Sequence, residues 1–270
     1  MSTADLIDVH AHFFTAASGR GDWRQVNEAR LEAGAQMGVT AHVASILGTW
    51  GANSPTYFPS PDDVTHGNDA MVCLTGDHPG LVFGYCVVNP NYPEHALREL
   101  SRRVDEGMIG IKLAASRRAN DPLLDSIAAF AAEHELPILQ HIWQHRRRDW
   151  PGQEASDAVE LLELAERHPD TKFLLAHLGG GGDWAHTLRA VHNARNIWVD
   201  LSGSGVDDGM LEAALESVGP GRMVWACDVT MDTGLGKLRY LEAMDLPAAD
   251  LGRIRNGNAR ELFPEGAFAR

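Results

Sequence analysis

The chain alternates between short apolar runs and longer amphipathic stretches, and this alternation limits it to very few folds. Runs rich in Val, Ile, Leu and Phe that are separated by helical segments are typical of parallel strands joined by crossover helices. Eight strands in this order favour a closed (β/α)8 barrel of the TIM type, in the α/β class. The predicted strands are Leu6–His12, Ala41–Leu47, Leu81–Val88, Met108–Leu113, Leu136–His141, Lys172–His177, Asn196–Leu201 and Arg222–Asp228. The predicted helices include Pro93–Glu106, Asp121–Glu135, Glu154–Arg167, Asp207–Val218 and Leu235–Met244.

An open, doubly wound sheet is the main alternative to the barrel. That fold typically carries a G-x-G-x-x-G turn after an early strand, whereas the run Gly179–Gly182 follows the sixth predicted strand and lacks this pattern. The 270 residues suit one barrel domain spanning residues 1–270. Two predicted loops are long, Thr49–Thr65 after the second strand and Gln144–Glu154 after the fifth. Loops of this length often carry function.

Charge and cysteine content exclude several classes of protein. With 23 Lys and Arg against 37 Asp and Glu, the net charge of −14 repels nucleic acids and anionic membranes. Cys73, Cys86 and Cys227 are far apart, which indicates neither a disulfide framework nor a zinc ribbon. No export signal or membrane-spanning run is visible. We therefore expect a cytoplasmic protein that acts on a small molecule, and the sequence leaves open whether it forms a homo-oligomer.

Histidines and one acid lie at the carboxyl ends of the predicted strands. His10 and His12 close the first strand, His141 the fifth, His177 the sixth and Asp228 the eighth. In barrels of this type the carboxyl ends of all strands meet at the face that carries the active site. Residues i and i+2 of a strand share a face, so the imidazoles of His10 and His12 can reach the same point. Imidazole and carboxylate groups suit a divalent ion such as zinc, so we expect a metal site.

These residues belong to a set of motifs that resembles the amidohydrolase superfamily, and more narrowly its "amidohydrolase 2" branch, which includes hydrolases and decarboxylases. The resemblance runs from the first strand to the final helix. It implies one divalent ion held by His10, His12, His141 and Asp228, with Zn expected and Mn or another first-row metal as alternatives. It also implies that His177 is an acid/base or polarising group. The motifs are Ile7–His12, Gly110–Leu113, Pro137–His141, Phe173–Gly180, the strand ending in Asp228, and Asn258–Phe263.

The sequence departs from the relatives in three ways. The first strand begins about five residues from the N-terminus, which predicts a barrel without an added β-sandwich. Ala114 stands where many members of the branch carry a histidine, so the substrate contacts must differ. Lys112 occupies the position of a lysine that is carboxylated and bridges two metals in phosphotriesterase-like members, and His141 and His177 would then hold a second ion. We favour an uncarboxylated Lys112 that is ion-paired or faces the substrate, and we interpret Cys227 as a core residue.

The predicted metal site supports two enzymatic functions and disfavours a third, non-catalytic one. The first is a metal-dependent hydrolase of an ester, lactone or amide, in which Asp228 is the general base for a metal-activated water and His177 polarises the substrate. The alternative is a non-oxidative decarboxylase of an aromatic or unsaturated carboxylic acid, in which His177 protonates the carbon that loses CO2. A non-catalytic barrel is disfavoured because every ligand and acid/base position carries a competent side chain.

Groups in the loops could bind the substrate. The predicted pocket walls are aromatic residues after strands two, five and six, and they suit an apolar or aromatic substrate. The arginines Arg146–Arg148 could bind a carboxylate through paired hydrogen bonds, although such a run is more often solvated surface. The aromatic residues are Trp50, Trp143, Trp150 and Trp184.

Overall fold

The computed structural model describes residues 5–143, 154–178, 183–229 and 231–269. It contains one parallel sheet in the order β1-β2-β3-β4-β5-β6-β7-β8, as the alternation of the sequence predicts. The ring is closed where the backbone amide of Asp228 donates to the carbonyl of His10 over 2.7 Å, next to a bridge between Ala11 and Asp228. The strands are β1 Leu6–His12, β2 Val39–Ser45, β3 Val82–Val88, β4 Gly110–Leu113, β5 Ile138–Gln140, β6 Phe173–Leu175, β7 Ile197–Asp200 and β8 Met223–Val224.

Helices follow the strands and complete a (β/α)8 barrel. All the strands of the described residues belong to the one sheet, so the expected β-sandwich-free barrel is observed there. None of the described helices is long and apolar enough to cross a bilayer. The helices are α1 Trp23–Met37, α2 Pro61–Asp77, α3 Pro93–Asp105, α4 Asp125–Glu133, α5 Ala158–Arg167, α6 Trp184–Val191, α7 Met210–Ser217, α8 Met231–Ala243, α9 Ala248–Gly252 and α10 Asn258–Leu262.

The two apolar layers of the barrel account for the unbroken apolar runs. One cluster lies between the strands and the surrounding helices, so most strand residues are buried on both faces of the sheet. A second cluster joins Val9, Tyr85 and Leu174 to Phe263 and Phe268 near the C-terminus. This C-terminal segment covers the end of the barrel where the strands begin, which leaves the opposite end as the mouth.

The prediction of a loop over Thr49–Thr65 is wrong at its end, because α2 begins at Pro61. The Ser60 hydroxyl accepts a hydrogen bond from the Asp63 amide over 3.2 Å and caps the helix. The predicted loop Gln144–Glu154, with Arg146–Arg148, lies outside the described residues apart from its last member.

The first strand is irregular between Asp8 and Ala11, where its register against β2 shifts. Asp8 and His10 would share a face of a regular strand. With this shift, Asp8 contacts α1 through Arg30, while His10 contacts Lys112 of β4. The irregularity therefore separates a charged network on the outside of the barrel from the histidines at its mouth.

Candidate metal centre

The predicted site residues lie at the mouth of the barrel, but three of them lie just beyond their strands. His10 and His12 belong to β1, whereas His141 directly follows β5, His177 follows β6 and Asp228 follows β8. The strands predicted to end at these three residues are therefore shorter than expected. His177 and Asp228 themselves have left-handed φ angles of 65° and 66°, a conformation that strand residues do not adopt. Such strained backbone is common at functional sites.

Three of the four predicted ligands bring their donor atoms together. The Nε2 atoms of His10 and His12 are 3.1 Å apart. The Oδ1 atom of Asp228 lies 3.7 Å from the first and 3.3 Å from the second. Ligand atoms around a tetrahedral ion with bonds of about 2.0–2.1 Å are separated by about 3.3 Å. The spacing of these three atoms therefore fits a divalent metal.

The hydrogen bonds of the two histidines support the same conclusion. His10 Nδ1 donates to Asp200 Oδ2 over 2.8 Å, and His12 Nδ1 donates to the carbonyl of Ser45 over 3.2 Å. These bonds place the proton of each ring on Nδ1, so the two Nε2 lone pairs face each other. A carboxylate or carbonyl behind a histidine orients the ring in the same way in known metal sites.

His141 and His177 form a second pair beside this cluster. His141 Nδ1 and His177 Nε2 are hydrogen-bonded to each other over 3.0 Å. The other ring nitrogen of His141, Nε2, is buried and has no hydrogen-bond partner among the described residues. A buried ring nitrogen without a hydrogen-bond partner suits the ligand role predicted for His141. His177 also contacts Asp228, with 3.4 Å between Nδ1 and Oδ2, and the donor atoms of His10, His177 and Asp228 all lie within 4.8 Å of one another.

Burial shifts the pKa values of the last two residues in opposite directions. It lowers the pKa of His177 to about 3, although Asp200 opposes this shift. It raises the pKa of Asp228 to about 6, against the opposing effect of Lys112. In the metal-free protein, a single proton shared by the pair therefore resides on the carboxyl group rather than on the imidazole.

Lys112 is fully buried in the centre. Its Nζ donates to His10 Nε2 over 3.0 Å, and burial lowers the pKa of its ammonium to about 8. The carboxylated form of Lys112 that would bridge two metals stays a prediction.

A second buried lysine, Lys237 of α8, donates to the carbonyl of Gly203, and burial lowers its pKa to about 8 as well.

A cavity of about 230 Å³ opens above these residues, which is somewhat smaller than the usual range for ligand pockets. The predicted wall residues Trp50 and Trp143 line it, together with Leu47 and Tyr57. Trp184 does not line it, because its indole donates to Asp207 Oδ2 over 3.1 Å at the start of α6. Trp150 lies outside the described residues. The floor of the cavity is formed by His12, His141, His177 and Asp228.

Two residues that support the centre, Asp200 and Ser202, are not among the predicted site residues. Asp200 is fully buried, and its Oδ1 atom accepts hydrogen bonds from the amides of His177 and Ser202 while its Oδ2 atom holds His10. The Ser202 hydroxyl lies 3.1 Å from His177 Nδ1. An acidic residue that ends an apolar run was the signal used for Asp228, and the same signal at the end of the seventh run would have identified Asp200.

Cys227 lies in the core, as predicted. It is 1% exposed, and burial raises the pKa of its thiol well above the usual value. His186 pairs with Asp157, with 2.9 Å between Nε2 and Oδ1. Neither residue contributes a donor atom to the centre.

Comparison with known proteins agrees with the fold and the motifs. Residues 7–264 match the family model described as Amidohydrolase. No curated protein matches the chain.

Three solved structures illustrate the structural similarity. The 2,6-dihydroxybenzoate decarboxylase from Rhizobium has a TM-score of 0.74 at 17% identity, over 96% of this chain and 98% of that one. A dihydroxybenzoic acid decarboxylase from Polaromonas, with bound manganese and 2-nitroresorcinol, has a TM-score of 0.72 at 16% identity, over 96% of both chains. The 5-carboxyvanillate decarboxylase from Sphingomonas paucimobilis has a TM-score of 0.70 at 18% identity, over 96% and 99%. At these identities the similarity establishes the fold alone.

Proposed function

This chain belongs to the amidohydrolase family, and we propose that it is a metal-dependent enzyme that removes CO2 from an aromatic carboxylic acid without oxidation. The observation that carries the proposal is the cluster formed by the donor atoms of His10, His12 and Asp228, which are 3.1–3.7 Å apart. His12 and Asp228 of this cluster lie on the floor of an aromatic cavity. A divalent ion bound there would supply a fixed positive charge for the substrate's carboxylate and an adjacent oxygen.

The residues divide the work between holding the metal and moving a proton. His10, His12, His141 and Asp228 are the proposed ligands, and Asp200 and Ser45 keep His10 and His12 in the tautomer that binds metal. Asp228 and His177 are the proposed proton carriers, because only 3.4 Å separates His177 Nδ1 from Asp228 Oδ2. Trp50, Tyr57 and Trp143 would pack against an aromatic ring.

The reaction needs no oxidant and no co-substrate other than a proton. The bond between the ring carbon and the carboxyl carbon breaks, and CO2 leaves without the bonding electron pair. That pair stays on the ring carbon and takes up the proton held by Asp228 and His177. Solvent returns a proton to the pair, which completes the cycle.

Decarboxylation was the second of the two activities predicted from the sequence. The expected hydrolysis of an ester, lactone or amide is not confirmed, and the three structural neighbours described above are named as decarboxylases. Zinc is also not confirmed, and one of these neighbours contains manganese. We propose a single divalent ion and regard manganese and zinc as the two candidates.

The test is to incubate metal-loaded protein with a panel of hydroxylated aromatic acids and, separately, of lactones, esters and amides. We expect CO2 and the shortened arene from one or more acids, and no acid release from the second panel. Release of acid without CO2 would replace this proposal with the hydrolase. Protein without any metal would contradict both activities.

Tyr57 provides a sharper test of the substrate position. Its ring lies 5.3 Å from that of His141, and its hydroxyl has no hydrogen-bond partner among the described residues. Burial and the nearby Asp228 raise the pKa of the phenol, so it remains a donor at neutral pH. We expect Tyr57→Phe to lower kcat/KM by about 10- to 100-fold, the value of one hydrogen bond to a charged oxygen. Tyr92→Phe, at an exposed position outside the cavity, is the control. Equal kcat/KM for the two variants would show that Tyr57 only fills space.

A further inference from the structure

We propose that Arg30, on the outer side of the barrel, is a positioning residue that holds Asp228 in the conformation needed at the metal centre. Arg30 belongs to α1, 198 positions from Asp228 in the sequence, and its side chain is 5% exposed. Its Nη1 donates to the carbonyls of Asp228 and Val229 over 2.6 and 3.0 Å. Its Nη2 donates to Asp8 Oδ2 over 2.7 Å. One guanidinium group therefore fixes the backbone on the carboxyl side of Asp228.

Asp228 needs this support because of where it lies. The last residue of β8 is Val224, so Asp228 lies beyond the regular strand. Its φ of 66° lies in the left-handed region, which costs energy for residues other than glycine, although less for aspartate than for most. A small rotation of this backbone would move the carboxylate away from the Nε2 atoms of His10 and His12.

Asp8 holds the amino side of the same segment. Its Oδ1 atom accepts from the amide of Cys227 over 3.0 Å and from the amide of His10 over 3.2 Å. Asp8 is completely buried and also contacts His42, with 3.2 Å between Oδ2 and Nδ1. The Asp8–Arg30 pair therefore ties both ligand-bearing segments to α1, on the face of the sheet opposite the metal.

Arginine is required for this arrangement by its shape. Its fork presents Nη1 to two carbonyls and Nη2 to a carboxylate at the same time, whereas a lysine ammonium is a single point. Arg30→Lys keeps the buried positive charge beside Asp8 but cannot make both sets of bonds. Removing only one charge would leave the other buried and unpaired, which destabilises the whole protein and would obscure the effect.

The chain offers a matched control in Arg103. Its side chain is 1% exposed and bonds to Glu99, Glu106 and Asp69, and no described contact joins it to the metal centre. Arg103→Lys therefore imposes the same chemical change at the same burial in a purely structural network.

The experiment titrates metal-stripped, full-length protein with Co²⁺ and follows the dissociation constant, the visible absorption spectrum and the melting temperature. For Arg30→Lys we expect Co²⁺ binding about 10- to 100-fold weaker, as for other supports of metal ligands, and an altered spectrum. Arg103→Lys should keep both at wild-type values even if its melting temperature falls. A wild-type constant and spectrum in Arg30→Lys would overturn the proposal.

A second variant covers the case in which Arg30→Lys does not fold. Asp8→Asn combined with Arg30→Met removes both charges together, so no unpaired charge is left buried. We expect this double variant to fold and to bind Co²⁺ more weakly, and wild-type binding would again overturn the proposal. A loss of turnover in these variants can be measured only if the proposed function is right. The dissociation constant and the spectrum of bound Co²⁺ do not depend on the proposed function. If no acid is decarboxylated by the wild type, the proposed function fails and the role of Arg30 is still decided.

Discussion

Replacing His177 with asparagine is expected to lower kcat by about 10²- to 10⁴-fold, the usual contribution of an acid/base group, while the protein keeps its divalent ion. His177 contacts Asp228 and faces the cavity, so it can move a proton without being needed as a ligand. Asparagine is the suitable replacement, because it tolerates the left-handed backbone at this position better than alanine. The measurement is kcat at saturating metal, together with the metal content of the purified variant.

The control for this variant is His186→Asn. His186 is also a histidine paired with an aspartate, but its partner is Asp157 and it lies outside the cavity. The His186→Asn variant should therefore keep the kcat and the metal content of the wild type. Loss of the ion in His177→Asn would show that His177 is a ligand, as the proximity of its donor atoms to those of His10 and Asp228 permits. The two-metal arrangement with a carboxylated Lys112 would then become the better description.

The convergence of the ligands could be predicted because it follows from topology. Parallel strands of a closed barrel place all their carboxyl ends at one mouth, so residues from the first and eighth strands meet although 216 positions separate His12 from Asp228. The i, i+2 spacing then predicts the contact of His10 with His12, and the structure places their Nε2 atoms 3.1 Å apart. Neither inference needs any knowledge of packing.

Two of the helices absent from the predicted set, α1 and α2, show where sequence reasoning stops. The buried face of α1 carries Asn27, Arg30 and Gly34, and that of α2 includes Asp63, Gly67 and Asn68. Hydrophobic periodicity identifies a helix only when its inner face is apolar. These inner faces are polar because they hold other groups in place: Asn27 bonds to the backbone of Phe14, and Asp63 binds the loop that carries Trp50 and Tyr57. Periodicity therefore misses α1 and α2 because their inner faces support the site with polar groups.

Local backbone conformation also lies beyond the sequence pattern. The apolar runs continue through His177 and Asp228, so they predict strands that extend to these residues. β6 ends at Leu175 and β8 at Val224, and His177 and Asp228 beyond them have left-handed φ angles. Long-range bonds hold these two residues, one from Arg30 to the carbonyl of Asp228 and one from the amide of His177 to Asp200. Only the folded barrel brings these partners together.

Removing the metal with a chelator is expected to abolish turnover completely and to lower the melting temperature by roughly 5 °C. Without the ion, the two imidazole lone pairs lie 3.1 Å apart, and Lys112 donates a hydrogen bond to the one on His10. Burial also disfavours the charge on Asp228. An ion present at about 100 times its dissociation constant stabilises the fold by about 2.7 kcal/mol. Differential scanning calorimetry and turnover, before and after adding back Mn²⁺ or Zn²⁺, measure both effects and identify the ion.

The same experiment limits the number of ions. We expect one equivalent to restore both stability and turnover, and His12→Asn to lose the response while the exposed control His134→Asn keeps it. An unchanged melting temperature on addition of either ion would contradict the metal centre itself. Restoration that needs two equivalents would instead indicate that Lys112 bridges a second ion, because only a carboxylated lysine would turn this buried cation into a ligand.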